Sequence, residues 1–433
     1  MSRGRRGEVA ATHSCSGEAA SEPTKSPVGV QAASSGSAIC LVGPGWHFTS
    51  GISYYTCQLA NALADHNKVS VIQMRQLLPR FLYPGSKRVG QPRARDGYRS
   101  DVQVYAGINW WWGRSLFRAL SLMRSSPPEI LVLQWWTATV LHSYLVLAVI
   151  GRFLGARIVL EVHELQDTGE ARSSIVRRYG RWGLGLLLRL SRGCVVHSTA
   201  DREALKAEYD LRNLRVTAVP HGPFDQYRPG IEGRFIGEHA VAAVKKAPRP
   251  DVINLLFFGT IRPYKGLEDL LRVFNGLGEK EVSNLWLTVV GETWEKCTEP
   301  AHLIATSPHR DRITFVNDYV PDEVVSAAFA HADVVVLPYR RSSSSGPLHV
   351  AMNWGLPVIM TRVGGLPEAA KGYGGAIFVP PGDRQALKAA ISQAAQLVGR
   401  RFADPRSWND TVEALLSAAD AHAMYPDFQV SSP

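Results

Sequence analysis

Two cationic side chains lie close together in the segment F-F-G-T-I-R-P-Y-K-G, residues 257–266. An apolar run ends at Phe258, Gly259 allows a turn, and a helical pattern begins just after the cations Arg262 and Lys265. Cations beside a helix N-terminus form an anion site that suits a diphosphate. A pair of solvated surface charges is the alternative interpretation, because basic residues are common on loops.

A second candidate for anion binding is the serine-rich segment S-S-S-S-G-P-L-H-V, residues 342–350. Pro347 suits the first turn of a helix, and Ser345 and Gly346 leave backbone N–H groups uncovered by bulky side chains. These groups are candidates for contacts with a phosphate or a sugar hydroxyl. A serine-capped helix that binds nothing has the same local chemistry, so both interpretations stay open.

A third segment, L-V-G-P-G-W-H-F-T-S-G-I at residues 41–52, is interrupted by glycines. It has no Gly-Lys-Ser/Thr of a Walker loop, and it matches the G-x-G-x-x-G fingerprint only loosely. Gly51, just before a helical pattern, would let the backbone approach a charged ligand closely. We therefore expect Gly51 among the residues that bind the anionic ligand.

The elements that must hold these loops alternate between short apolar runs and helical patterns, which is typical of parallel sheets covered by helices. A first series of predicted strands covers residues 38–42, 69–73, 130–133, 157–162, 193–197 and 215–219. A second series covers residues 254–258, 285–290, 313–315, 334–337, 358–361 and 376–379. The fold class is therefore predicted as α/β, with two tandem Rossmann-like doubly wound domains. Ligands bind beyond the carboxyl ends of strands in such sheets, so we expect the substrate in a cleft between the domains.

The composition also predicts where these domains begin and end. The expected order is a disordered tail over 1–37, a first domain over 38–228, a linker over 229–250, a second domain over 251–400, and a helix with a tail over 401–433. The early arginines of the tail are followed by no apolar segment, so no secretory signal is predicted. The last helical pattern is expected to pack back across the cleft.

The charge balance is basic, with 48 Lys and Arg against 38 Asp and Glu and a net charge of +10. This balance suits a phosphate-bearing ligand, a nucleic acid or an anionic membrane. No RNP-type or helix-turn-helix pattern accompanies it, so we predict no nucleic-acid partner. The five cysteines have no metal-ligand spacing, which predicts a cytoplasmic protein without a metal.

With V-G-G-L-P-E at 363–368 and F-V-P-P-G-D at 378–383, these segments resemble retaining glycosyltransferases of the two-Rossmann (GT-B) type, specifically glycosyltransferase family 4. The resemblance covers residues from about 38 to 400. It implies a nucleotide-diphosphate sugar as co-substrate and a glycan or lipid-linked acceptor. In that family the counterparts of Arg262 and Lys265 bind the donor diphosphate. The predicted anion site and the role implied by the family therefore coincide.

Cleavage of the bond to the anomeric carbon develops negative charge on the leaving diphosphate, and preorganised cations and helix dipoles stabilise that charge. No Asp-x-Asp pair occurs in the chain. We therefore expect a metal-independent reaction with no cofactor other than the donor co-substrate.

His163 closes a predicted strand in V-L-E-V-H-E-L, residues 159–165. In similar enzymes a histidine at this place lies near the transferred sugar and helps to stabilise an oxocarbenium-like transition state. The resemblance thus implies a catalytic role for His163. A histidine that only holds a loop is the alternative, and Glu164 is a candidate for the acceptor side.

The sequence departs from the family at one pair of positions. Family members have two glutamates here, for the donor sugar and the ribose, and their places are taken by Ser342 and Val350. A serine still makes one hydrogen bond, but a valine side chain contacts no ribose hydroxyl through a polar atom. Either the donor is held by Ser342 and backbone groups, or donor binding has been lost.

Two further features suggest an acceptor or a membrane surface. Trp110 and Trp111 precede a third tryptophan and are candidates for stacking on acceptor sugars, with buried packing or membrane contact as alternatives. Residues 172–192 contain six arginines and no acid among apolar residues. Such a helix either lies on an anionic membrane, at the inner face of the cytoplasmic membrane, or covers the sheet as a solvated helix.

Together these features predict a retaining glycosyltransferase that moves a sugar from a nucleotide-diphosphate donor to a glycan or lipid-linked acceptor. Two alternatives stay open because the paired glutamates are absent. One is a binding protein that kept the fold and lost the chemistry. The other is a sugar-nucleotide epimerase on the same scaffold.

Overall fold

The structure is a computed structural model that describes residues 36–45, 51–77, 97–165, 174–211, 213–224, 244, 252–294, 297–342 and 344–420. Apart from Gly36 and Ser37, the predicted tail lies outside the described residues. The predicted linker also lies outside them, apart from Val244.

The first half of the chain forms a seven-stranded parallel sheet in the order β3-β2-β1-β4-β5-β6-β7. Its strands are β1 Ala38–Pro44, β2 Lys68–Gln76, β3 Gln103–Asn109, β4 Ile130–Trp135, β5 Arg157–Val162, β6 Gly193–Val196 and β7 Arg215–Ala218. The helices between them are α1 Gly51–Leu63, α2 Gly113–Ser125, α3 Leu141–Phe153, α4 Ser174–Leu190 and α5 Thr199–Glu208.

The second half forms a six-stranded parallel sheet in the order β10-β9-β8-β11-β12-β13. Its strands are β8 Ile253–Phe258, β9 Leu285–Val290, β10 Ile313–Val316, β11 Val334–Leu337, β12 Val358–Thr361 and β13 Ala376–Val379. The helices are α6 Leu267–Asn275, α7 Glu279–Val282, α8 Glu299–Ala305, α9 Asp322–Ala330, α10 Gly346–Asn353, α11 Leu366–Ala369, α12 Arg384–Ala395 and α13 Trp408–Asp420.

The central strands form because their sequences are β-branched and apolar on both faces. Strand β11 reads V-V-V-L, and all four of its side chains are buried between the helices on either side. Strand β4 is likewise buried along its whole length. Continuous burial of this kind is the property of parallel sheets covered on both faces. The predicted fold class, two doubly wound α/β domains, is confirmed.

One strand of the first sheet was not predicted. Strand β3 lies at the edge of the sheet, and only its residues Gly107 and Ile108 are buried. An edge strand that is partly exposed lacks the continuous apolar run by which the other strands are predicted. The sequence therefore predicts six strands for this sheet, whereas the structure has seven.

The last helix, α13, packs on the first sheet. Trp408 Nε1 donates a hydrogen bond to the carbonyl oxygen of Pro223 at 3.2 Å, and Arg157 pairs with Asp420 at the far end of the helix. Gly193 in β6 permits the close approach, because a Cβ there would lie 2.3 Å from the Ala418 carbonyl oxygen. The chain thus returns from the second domain to the first, in agreement with the predicted packing across the cleft.

No helix within the described ranges combines the length and the apolarity that a membrane span requires.

Candidate active site

Two predicted donor segments meet at the carboxyl edge of the second sheet. Strands β8 and β11 are parallel neighbours, so the loops that follow them leave the sheet at the same edge. Gly259 follows β8 with a φ of 118°, and a Cβ on it would lie 3.3 Å from Cγ of Pro347. The loop after β8 and the start of α10 are therefore in contact, as a single donor site requires.

The buried Lys265 side chain is linked to the start of α10. Its Nζ lies 3.8 Å from the ring centroid of Tyr339, whose hydroxyl oxygen accepts a hydrogen bond from Ser345 Oγ at 3.2 Å. Burial, together with the nearby cation of Arg262, lowers the pKa of Lys265 to about 8, although the charges of Tyr264 and Glu164 act in the opposite direction. The charge on Lys265 is therefore sensitive to pH in the slightly alkaline range.

Arg262 lies on the same loop, directly before the 3-10 turn Pro263–Lys265. Its guanidinium carbon is 4.7 Å from the ring centroid of Trp294. The indole Nε1 of Trp294 donates a hydrogen bond to Glu292 at 2.7 Å, which fixes the ring. Stacking on a fixed indole orients a permanent cation beside the end of β8.

The hydroxyl of Ser345 is buried and is used to cap a helix. Ser345 is 1% exposed and caps α10, because its Oγ accepts a hydrogen bond from the backbone N–H of Leu348 at 3.3 Å. The next residue, Gly346, has no heavy atom within 4 Å of the position where a Cβ would lie. The surface that this helix offers to a ligand is therefore the backbone at Gly346, while the serine hydroxyl holds the helix end.

The two positions that lack the family's glutamates have different surroundings. Ser342 is held in a turn, where its Oγ donates a hydrogen bond to the Ser344 carbonyl oxygen at 2.8 Å and Gly364 packs on its backbone. Val350 is buried in the main apolar core. Val350 therefore contributes packing to the core, and of the two positions only Ser342 has a polar side chain.

In the first domain, three histidines lie together at the carboxyl ends of β5, β6 and β7. The ring centroids of His163 and His197 are 4.6 Å apart, and those of His197 and His221 are 3.9 Å apart. All three side chains are buried. We call these residues the histidine cluster.

A buried carboxylate lies beside the histidine cluster. Glu161 Oε2 is 3.8 Å from His163 Nε2, and Glu161 Oε1 is 3.9 Å from His197 Nε2. The same carboxylate accepts hydrogen bonds from the Tyr55 hydroxyl at 2.5 Å and from Gln134 Nε2 at 2.9 Å. These contacts fix the Glu161 carboxyl group beside the cluster.

Burial dominates the protonation of these groups. It raises the pKa of Glu161 to about 7, although the hydrogen bonds from Tyr55 and Gln134 act in the opposite direction. It lowers the pKa of His197 to about 4. The pKa of His163 also lies well below its usual range, first because of burial and then because of His197. The imidazoles are therefore neutral at pH 7.

The histidine cluster also touches the second domain. His221 stacks on His349 of α10, with ring centroids 5.1 Å apart and an interplanar angle of 19°. The guanidinium of Arg406 bonds to His349 Nδ1 and pairs with Asp404. Elsewhere along the cleft, Glu368 of α11 accepts a hydrogen bond from the backbone N–H of Thr199 at 2.5 Å.

The remaining predicted residues belong to the first domain. Glu164 follows His163 directly, and its charge raises the pKa of Lys265 of the second domain. Gly51 is the first residue of α1, and a Cβ on it would lie 3.5 Å from the ring of Phe224. The structure thus brings Gly259, Lys265, Ser345 and Pro347 together in the second domain, whereas His163, Glu164 and Gly51 belong to the first.

The tryptophans lie on a different part of the first domain. Trp110 and Trp111 are 37% and 53% exposed, and their rings meet edge to face at 5.7 Å. Trp112 points inward, where its Nε1 donates a hydrogen bond to Ser143 Oγ at 3.0 Å. The first two are free to contact a ligand surface, and the third is part of the packing.

Sequence reasoning found His163 but missed His197 and His221. A signal was present, since V-V-H-S and V-P-H-G each place a histidine at or just after the end of a predicted strand, as V-L-E-V-H-E does. Histidines at the carboxyl ends of three adjacent parallel strands must lie side by side.

Family models match both halves of the chain. Residues 50–222 match a glycosyl transferase 4-like domain, and residues 253–396 match the model described as glycosyl transferases group 1. Together with the two facing doubly wound domains, these matches place the chain among the glycosyltransferases of the GT-B fold, a class of transferases.

Curated relatives match only part of the chain. A GDP-mannose:glycolipid 4-beta-D-mannosyltransferase of Xanthomonas campestris is 35% identical over 107 residues, which are 24% of this chain and 29% of that protein. A D-inositol 3-phosphate glycosyltransferase of Saccharomonospora viridis is 27% identical over 243 residues, 51% of this chain and 54% of that protein. The chain therefore spans about half or less of the length of these relatives.

Solved structures share the fold over nearly the whole length. The catalytic domain of starch synthase IV from Arabidopsis thaliana, bound to ADP and acarbose, has a TM-score of 0.58 at 15% identity, with 88% of this chain and 96% of that chain covered. Anabaena HepE in complex with UDP has a TM-score of 0.57 at 13% identity, with 89% and 95% covered.

Proposed function

We propose that this chain transfers a sugar from a nucleotide-diphosphate donor to a glycan or lipid-linked acceptor, as a family 4-type enzyme. The proposal depends most on one arrangement, in which Lys265 and the first turn of α10 share Tyr339 at the edge where β8 and β11 end. The names of relatives support donors of this class, since one uses GDP-mannose and one fold neighbour binds UDP.

The donor diphosphate is proposed to lie between Lys265, Arg262 and the backbone at Gly346. The open space at Gly346 gives room for a phosphate or a sugar, and the N-terminus of α10 adds a partial positive charge. Each well-placed contact of this kind stabilises the departing anion by about 3 kcal/mol. These groups supply the charge stabilisation without a metal on the diphosphate.

The donor sugar and the ribose are proposed to be held by Ser342 and by backbone groups. Val350 lies in the core, so its side chain offers nothing to the ribose. Loss of the two glutamates removes strong hydrogen-bond acceptors. We therefore expect weaker donor binding than in a family member with both glutamates.

The catalytic role of His163 stays a prediction, as does retention of the anomeric configuration. His163 directly follows β5 and is buried. A catalytic contact therefore requires that the donor sugar reach the His163 imidazole from the cleft. The Xanthomonas relative is named for a β-linked product. The anomeric configuration of the product must therefore be determined directly, by NMR of the transferred sugar.

A peripheral contact with an anionic membrane is proposed for the first domain. Helices α2, α3 and α4 pack side by side and expose large apolar side chains, among them Phe117, Phe153, Ile175 and Trp182. The exposed arginines of α4 lie among them. This combination suits an anionic lipid surface, on which a lipid-linked acceptor would be presented.

The proposal is tested by measuring nucleotide release and sugar transfer with a panel of nucleotide-sugars and lipid-extract acceptors. Arg262→Ala and Lys265→Ala should each lower kcat/KM about 100-fold, which is the loss expected when one charge-stabilising group is removed. Lys371→Ala is the matched control, because Lys371 is an exposed lysine of the same domain. Unchanged rates in Arg262→Ala and Lys265→Ala would contradict the assignment.

The same experiment separates the two alternatives. A binding protein would show donor binding by calorimetry with no turnover on any acceptor. An epimerase would convert the donor into an isomer of equal mass in the absence of an acceptor. Either result, found with the folded wild-type chain, would replace the transferase proposal.

A further inference from the structure

We propose that His163, His197 and His221 bind one divalent transition-metal ion, of the zinc type, in the first domain. Each offers one ligand atom, and these atoms all lie within 4.8 Å of one another. Imidazole nitrogens are the usual protein ligands of zinc and of neighbouring transition metals.

The first support is a set of ring nitrogens that lack hydrogen bonds. Within the described part of the chain, five buried atoms of the cluster have no hydrogen-bond partner: His163 Nδ1 and Nε2, His197 Nε2, and His221 Nδ1 and Nε2. A buried polar atom without a partner costs about 1–3 kcal/mol, so five within one cluster require an explanation. A metal ion would take one lone pair from each ring.

The spacing is compatible with this ligand. Three imidazoles on a tetrahedral zinc at about 2.0–2.1 Å place their nitrogens about 3.4 Å apart. Starting from separations of up to 4.8 Å, each nitrogen needs to move by less than about 1 Å, which small ring rotations provide. The three side chains follow adjacent parallel strands, so the backbone already sets their positions.

The surroundings match those of a metal ligand set. His197 Nδ1 lies 3.1 Å from the Val219 carbonyl oxygen, which leaves Nε2 with its lone pair for a metal. The Glu161 carboxylate, within 3.9 Å of two of the rings, supplies negative charge, and Tyr55 and Gln134 hold it in place. A buried carboxylate is itself stabilised by a nearby cation.

One cation already lies near the cluster. Arg406 approaches the His221 carbonyl oxygen at 3.4 Å, but its charge is compensated by Asp404, to which its Nε donates at 2.8 Å. The carboxylate of Glu161 therefore remains available to balance a metal. His163 belongs both to the cluster and to the predicted catalytic residues, but none of the predicted diphosphate-binding residues belongs to the cluster, so the inference does not depend on the proposed donor site.

The experiment uses the full chain, stripped with a chelator and dialysed against Zn²⁺ or Co²⁺. We expect about one bound metal per chain by elemental analysis, and visible d–d absorption of Co²⁺ typical of a four- or five-coordinate site. In His197→Gln and His163→Gln, affinity should fall by at least about tenfold, since even the loss of an outer-shell partner has that effect. His302→Gln, an exposed histidine on α8, is the matched control and should bind like wild type.

Absence of saturable Zn²⁺ and Co²⁺ binding to the folded wild-type chain would overturn the inference. Equal Zn²⁺ affinity of His197→Gln and wild type would overturn it as well. If the histidine variants fail to fold, X-ray absorption of the zinc-loaded wild type decides, because three imidazole ligands are expected and fewer contradict the site. Lys265→Ala should keep the metal while it loses transfer, which separates this inference from the proposed function.

Discussion

His221 of the first domain and His349 of the second are stacked across the domain boundary, with ring centroids 5.1 Å apart and planes inclined by 19°. Arg406 bonds to both residues, at the His349 ring and at the His221 carbonyl oxygen. The histidine cluster and the start of the donor helix are therefore mechanically connected. A displacement of α10 on donor binding would therefore also shift His221 in the first domain.

Donor use should depend on pH through Lys265. Its pKa is lowered to about 8 by burial, so the ammonium is present below pH 8 and is lost as the pH rises through that value. We expect kcat/KM for the donor, which reports the free enzyme, to fall above about pH 8. Lys265→Arg should remove this descending limb, because a guanidinium stays charged. A limb that persists in Lys265→Arg would assign the titration to another group.

A methyl group at Gly346 should affect the ligand and leave the protein unchanged. A Cβ on Gly346 meets no protein atom within 4 Å, so Gly346→Ala should keep the wild-type melting temperature. If the diphosphate lies there, the added methyl should weaken binding of a nucleoside diphosphate by about 1–3 kcal/mol, measured by calorimetry.

Gly259→Ala is the contrasting variant. Gly259 has a φ of 118°, and its Cβ would approach Pro347 at 3.3 Å. We expect this variant to lose stability by about 1 kcal/mol or more, apart from any effect on ligands. For the first of these two variants, an unchanged affinity of Gly346→Ala for the nucleoside diphosphate would contradict the placement of the diphosphate at Gly346.

The docking of α13 should contribute to the stability of the first domain. Trp408 packs on Tyr55 at 5.0 Å between ring centroids and against Gly222. Truncation of a fully buried tryptophan to alanine lowers the free energy of unfolding by about 3–5 kcal/mol. Because Trp408 is half-buried, we expect Trp408→Ala to lower it by about 2 kcal/mol. Urea unfolding measures this, with the exposed Asn409→Ala as a control. An unchanged midpoint would mean that the helix is held by its other contacts.

The exposed apolar face of α4 should bind anionic vesicles. Ile175 and Trp182 are 75% and 62% exposed, and insertion of one such side chain is worth about 1.5–3 kcal/mol. Trp182→Ser should therefore weaken co-sedimentation with anionic vesicles about tenfold, while Lys371→Ser on the other domain should not. Equal sedimentation of Trp182→Ser and wild type, or no preference over zwitterionic vesicles, would count against a membrane role.

Buried strands were predictable from the sequence and exposed ones were not. The run V-V-V-L of β11 predicts a strand that is buried on both faces of a sheet, because all four side chains are apolar. The edge strand β3 shows no such run, and short helices such as α7 and α11 give too few residues for a helical period.

The candidate site was predictable in part for the same reason. Lys265 and Pro347 belong to loops that follow predicted strands, so their meeting at one sheet edge follows from the fold. The engagement of Ser345 in its own helix cap depends on a hydrogen bond to Leu348, which the sequence alone leaves as one of two possibilities. The link through Tyr339 depends on side-chain packing, which no local pattern encodes.

The chain passes from one sheet to the other twice, once between β7 and β8 and once before α13. Two tethers restrict the relative movement of the halves to rotation about the line that joins them, and they oppose twisting or sliding. Opening and shutting of the interdomain gap should therefore follow a single hinge-like path. Cutting the polypeptide just ahead of Trp408 would free the other motions while leaving both sheets intact.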